Sequence, residues 1–119
     1  MDRAIVALAG VLGLAGVALS AAAAHGPGGP NLDTAARFLL VHAAALLGVA
    51  ALSGGILSPR LAGFAGLVMI VGLALFCGDL VRRAYAGVGL FPMSAPTGGF
   101  TLMAGWLLLA VAAVLGHRA

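Results

Sequence analysis

The chain has 119 residues, 63% of them hydrophobic and only 8% charged, where soluble domains carry roughly 25% charged residues. Such a chain cannot cover itself with a water-compatible surface, which excludes a soluble domain and points to an integral membrane protein of mean hydropathy +1.20. The formal net charge of +3 comes from six Arg against three Asp, with no Lys. These arginines stand at the ends of apolar runs, where they anchor helices at the lipid interface, so nucleic acid is not an expected partner.

The first apolar run extends from Ala4 to Ala24 and at 1.5 Å per residue spans roughly 30 Å, the thickness of a bilayer core. Arg3 with Ala22-Ala23-Ala24 also fits a cleaved signal peptide, but the run is long for that purpose. Gly10, Gly13 and Gly16, with Ala9, give this helix a small-residue face of the kind that permits close approach in lipid. His25-Gly26-Pro27-Gly28-Gly29-Pro30-Asn31 is a cluster of helix breakers and is predicted as the first loop.

Asp33 or Thr34 is the expected N-cap of a second helix over 34–52, which carries Arg37 in its first turns and His42 deeper. Ser53-Gly54-Gly55 ends it, and the short connection to Ser58-Pro59-Arg60 makes helices two and three antiparallel neighbours. Helix three is predicted over 61–83, with Ala62 and Gly66 as a small-residue pair and Asp79 spaced to meet Arg82 or Arg83. A loop holding Gly87, Gly89, Pro92 and Pro96 follows, and its apolar stretch from Val88 to Met93 suits the membrane interface. The fourth helix is expected over 98–116, with Trp106 near its middle in a packing position.

Four helices that satisfy their own backbone hydrogen bonds meet the main demand of lipid, so the expected fold is all-α: one domain, an antiparallel up-down four-helix transmembrane bundle. This topology puts the first and third loops at one end. His25, Asp33, Arg37, Asp79, Arg82 and Arg83 then gather there, with His42 pointing inward roughly 12 Å below Thr34. Arg3, Arg60 and Arg118 share the other end, so the positive-inside count ties and leaves orientation open.

Several elements here resemble a known family, the small DUF423 / UPF0382 membrane proteins, related to the eukaryotic transmembrane protein 256. Ala24-His25-Gly26 is similar to the family's element after helix one, and the run from Asp33-Thr34 through Phe38 to His42-Ala43 to its entry into helix two. Phe76-Cys77-Gly78-Asp79-Leu80 resembles a late element of helix three, and Pro96-Thr97-Gly98-Gly99 with Gly105-Trp106 one of helix four. Where the family usually has Tyr, Gln, Ser and Tyr, this chain has Phe38, Leu39, Asp79 and Val81. The resemblance implies a small membrane fold and brings no established activity with it.

His42 inside a span has two readings, a proton- or ligand-handling group or a neutral imidazole locking helix to helix. Asp79 with Arg82 or Arg83 reads as a local helix-end pair or a transport site. His25, Asp33 and His42 offer metal-ligand types without metal-ligand spacing, so neither metal nor cofactor is expected. Gly98-Gly99 can receive an anion or enter a tight helix contact, and no nucleophile stands beside a base. The leading expectation is a non-enzymatic structural or accessory subunit or homo-oligomer in the bacterial inner (plasma) membrane. Its expected partners are membrane lipids, another membrane protein or further copies of itself. A small-solute or proton carrier is the alternative, and a lipid-binding protein or intramembrane enzyme comes third.

Overall fold

The computed structural model describes residues 2–117; Arg118, expected to anchor the C-terminal end, lies outside the described residues. Four helices follow one another, α1 (Asp2–His25), α2 (Gly29–Leu52), α3 (Pro59–Ala86) and α4 (Ser94–Leu115). All four are long and apolar enough to cross a membrane, and the bundle measures 50 × 27 × 18 Å.

The helices start earlier than the hydropathy pattern suggests, and α2, α3 and α4 each carry a proline in the first turn. The breaker cluster before Asp33 shrinks to a tight turn because Gly28 takes a left-handed conformation (φ 91°) and Pro30 falls in the first turn. There proline's missing N–H costs nothing and its fixed φ suits the helix. The expected N-cap at Asp33 or Thr34 is therefore corrected, since Gly28 is the cap and Asp33 lies a turn inside α2. Helix α3 opens at Pro59, with the Ser58 hydroxyl accepting a hydrogen bond from the Leu61 N–H at 3.2 Å. Helix α4 begins at Ser94 rather than near Gly98, so Gly98 and Gly99 lie in its second turn. The free N–H groups that an anion would need are then no longer theirs.

Consecutive helices pack as antiparallel neighbours, α1 on α2, α2 on α3 and α3 on α4. The inner helices α2 and α3 carry most of the buried residues, among them Leu32, Leu46, Met69 and Leu73. The outer faces of α1 and α4 present Leu14, Val17, Phe100 and Val114, an apolar surface suited to lipid.

Glycine sets the closest approach. A Cβ on Gly98 would lie 2.5 Å from the Phe76 nitrogen and 2.8 Å from the Gly72 carbonyl oxygen. One on Gly72 would lie 2.7 Å from the Leu102 nitrogen, and one on Gly105 would lie 2.6 Å from the Met69 side chain. Gly98, Gly105 and Ala112 recur every seven residues along α4 and are buried, as a left-handed helix pair requires. On α1 the tight position is Gly16, where a Cβ would meet Leu40 at 2.8 Å; Gly10 faces open space.

Gly98→Ala should therefore destabilise the bundle by about 1–3 kcal/mol, because the obstructing atoms are backbone and cannot turn aside. Gly10→Ala, which meets open space inside α1, should be neutral or stabilising by up to about 1 kcal/mol. Reversible unfolding in mixed micelles, followed by circular dichroism, compares the two.

Candidate functional site

The chemistry concentrates where α2, α3 and α4 meet. Only three polar or charged side chains are buried among the described residues, His42, Asp79 and Ser94. Each is tied to a different neighbour.

His42 Nδ1 lies 2.8 Å from the Phe38 carbonyl oxygen one turn back. The Trp106 indole N–H of α4 donates to His42 Nε2 at 3.1 Å. An indole nitrogen can only donate, so Nε2 carries the lone pair and Nδ1 carries the proton. That is the neutral imidazole with its one donor and one acceptor both used. Aromatic contacts hold the ring: it stacks on Phe38 at 5.8 Å and meets Trp106 edge-on at 5.8 Å. Phe38 in turn packs on Phe76 at 4.4 Å. A groove of about 400 Å³, lined by Phe38, Phe76, Phe100 and Trp106, opens beside the imidazole.

Asp79 is wholly buried. Its Oδ2 accepts from Arg83 Nε at 2.7 Å and its Oδ1 from the Leu90 backbone N–H at 2.9 Å. The carboxylate therefore ties the α3–α4 connection back onto α3. Gly89 makes room for this, since a Cβ there would collide with Asp79 Oδ1. Of the two arginines spaced to pair with Asp79, Arg83 does so and Arg82 does not. The Ser94 hydroxyl donates to the Leu75 carbonyl at 3.1 Å, docking the start of α4 on α3.

The remaining residues singled out in the sequence are less engaged. Arg37 Nε meets Asp33 Oδ2 at 3.0 Å with both side chains largely exposed, and such a pair contributes only about 0–1 kcal/mol. His25 is exposed at the end of α1. The described residues contain no group of three or more His, Cys, Asp or Glu side chains placed to hold a metal ion, so His25, Asp33 and His42 are not brought together. Gly13, Gly66 and Gly99 leave ordinary van der Waals space, with the nearest atoms 3.8, 3.5 and 4.0 Å from an added Cβ. Gly98 and Gly105 are the close-approach positions.

Sequence reasoning passed over Ser94, Gly72 and the partnership of His42 with Trp106, and gave Gly89 only as a loop residue. Ser94 and Gly72 carried a faint signal, because each lies one turn from a residue already noted, Gly98 and Phe76. The other contacts join residues from separate elements, which no local pattern reveals.

Four apolar spans, minimal connections and a polar set spent on joining helices define a small four-span integral membrane protein. The sequence of residues 19–99 matches the family described as "Protein of unknown function (DUF423)", and the chain belongs to that family. It is 28% identical, over 94% of its length and 97% of the relative's, to the UPF0382 membrane protein YwdK of Bacillus subtilis (strain 168). No solved structure matches it.

The contacts of buried His42 and buried Asp79 yield separate predictions. In a double-mutant cycle, Trp106→Phe and His42→Phe should couple by about 0.5–1.5 kcal/mol, the worth of one interhelical hydrogen bond; coupling near zero would remove the bond. Arg83→Gln should destabilise more than Asp79→Asn. The first strands a buried carboxylate, at up to about 3–5 kcal/mol, whereas the second frees a half-exposed Arg83 that can reach the interface. Equilibrium unfolding of both variants tests the order.

Proposed function

We propose that this chain is a non-enzymatic structural or accessory subunit of the bacterial inner (plasma) membrane, built to associate through its outer helix faces. The observation that carries this reading is the complete use of the interior polar groups. Among the described residues, every buried side-chain nitrogen and oxygen has a hydrogen-bond partner. His42 is spent on Trp106 and Phe38, Asp79 on Arg83 and Leu90, and Ser94 on Leu75. A residue that moves protons or binds a solute keeps a lone pair or donor facing the path. The imidazole of His42, as hydrogen-bonded here, has neither to offer.

The exposed apolar faces of α1 and α4 supply the surface for association. Phe100, Met103 and Leu107 stand on one side of α4, and Leu14, Val17 and Val11 line α1. The bacterial relative, named a membrane protein, supports a membrane location.

Cross-linking in the native membrane followed by mild extraction and native mass spectrometry tests the proposal. The expected result is a species heavier than the 11.6 kDa chain, containing further copies or another membrane protein. A protein that runs as a monomer, and whose proteoliposomes conduct protons or a solute in a manner abolished by His42→Phe, would replace the scaffold reading with the carrier one.

A further inference from the structure

A second cleft, of about 620 Å³, lies on the opposite side of α3 from the His42 groove. Leu8 and Leu12 of α1 form one wall, Leu39 of α2 contributes to the floor, and α3 forms the other wall from Ile70 to Tyr85. Along α3 the distance from Ile70 to Arg82 is roughly 18 Å by helical rise. One leaflet of a bilayer is about 15 Å deep, half of the ~30 Å core. The cleft therefore runs from the loop end to about mid-membrane.

Its chemistry is lopsided. The wall is apolar along its depth, and its cation is Arg82, near the loop end with Tyr85. At that end Asp33 is paired with Arg37 and Asp79 with Arg83. Arg82 has no carboxylate partner among the described residues, so it carries the positive charge left over there. Tyr85 is exposed one turn nearer the end of α3.

We propose that this cleft binds an anionic glycerophospholipid, one acyl chain lying along α3 and the phosphate resting on Arg82 and the Tyr85 hydroxyl. A guanidinium meets phosphate oxygens with two parallel N–H donors, and the aliphatic stem of Arg82 can follow the cleft wall while its head stays at the interface. An apolar cleft with one cation unpaired among the described residues at its interfacial end is matched by an anionic amphiphile, whereas a wholly apolar partner helix would leave that charge unmet.

The test uses full-length protein in nanodiscs of equal phosphatidylcholine and phosphatidylglycerol, with the lipids retained on release read by native mass spectrometry. Wild-type protein should retain phosphatidylglycerol in preference to phosphatidylcholine. Arg82→Gln should reduce that preference about fivefold, the worth of one arginine near an anionic head group. Ala74→Trp, a bulky side chain placed on the exposed cleft wall, should reduce retention of both lipids. Arg60→Gln, at the other end of the bundle, should leave the preference as it is. Circular dichroism and thermal melting establish that each variant is folded. A folded Arg82→Gln protein with undiminished preference overturns the proposal. So does an equal loss in Arg60→Gln, or a folded Ala74→Trp protein that retains lipid as wild type does.

Discussion

In hydrocarbon a polar group cannot fall back on water, so each one must find its partner inside the protein. Helical backbone meets this requirement by itself, and the buried side chains meet it by reaching across to other elements. Cys77 Sγ reaches the Ala35 carbonyl and joins α3 to α2, and the other three bonds between elements share a direction. Trp106 donates to His42, Ser94 donates to Leu75, and Leu90, just before α4, donates to Asp79. All three bonds locate α4. This matters because α4 is an outer helix and apolar on nearly every side. Burial alone gives such a helix little orientation in a solvent as apolar as itself, and three directional bonds supply its depth and rotation.

Close packing supplies the attraction that the hydrophobic effect does not provide between helices in lipid. Along the α3–α4 seam, Gly72, Gly98 and Gly105 let backbone approach backbone, where many weak dispersion contacts accumulate. The polar contacts bracket this seam, with Ser94 at its start and Trp106 beyond Gly105. Helix α1 is held differently. It rests on α2 through Ala9, Gly16 and their apolar neighbours, and no side-chain hydrogen bond joins it to another helix among the described residues. One outer helix is therefore fixed by direction and the other by fit.

The four spans were legible because hydropathy over a bilayer's width is a long and redundant signal. Antiparallel order followed from short connections, and the gathering of Asp33, Arg37, Asp79, Arg82 and Arg83 at one end followed from order alone. Helix starts were less legible. Pro30 and Pro96 break a helix interior but suit a first turn, and composition does not say which role a proline takes. The site's wiring was not legible at all. His42 and Trp106 are 64 residues apart, and their meeting depends on the rotation of α2 and α4 about their axes. Whether Asp79 meets Arg82 or Arg83 turns on side-chain direction, since both spacings lie on one helix face.

The position of Asp79 has a consequence for the charge at this end. Without the Asp79 carboxylate both Arg82 and Arg83 would lack an acid partner at this end, because Asp33 is paired with Arg37. The buried Asp79 draws the Arg83 guanidinium back one turn along α3 and fixes it beside Leu90 and Gly89. Arg82, the next residue along the helix, is directed about 100° away by the helical repeat and faces the cleft between α1 and α3. One carboxylate thus sorts two adjacent arginines into different tasks. Arg83 holds a connection in place, and Arg82 presents a charge to the membrane.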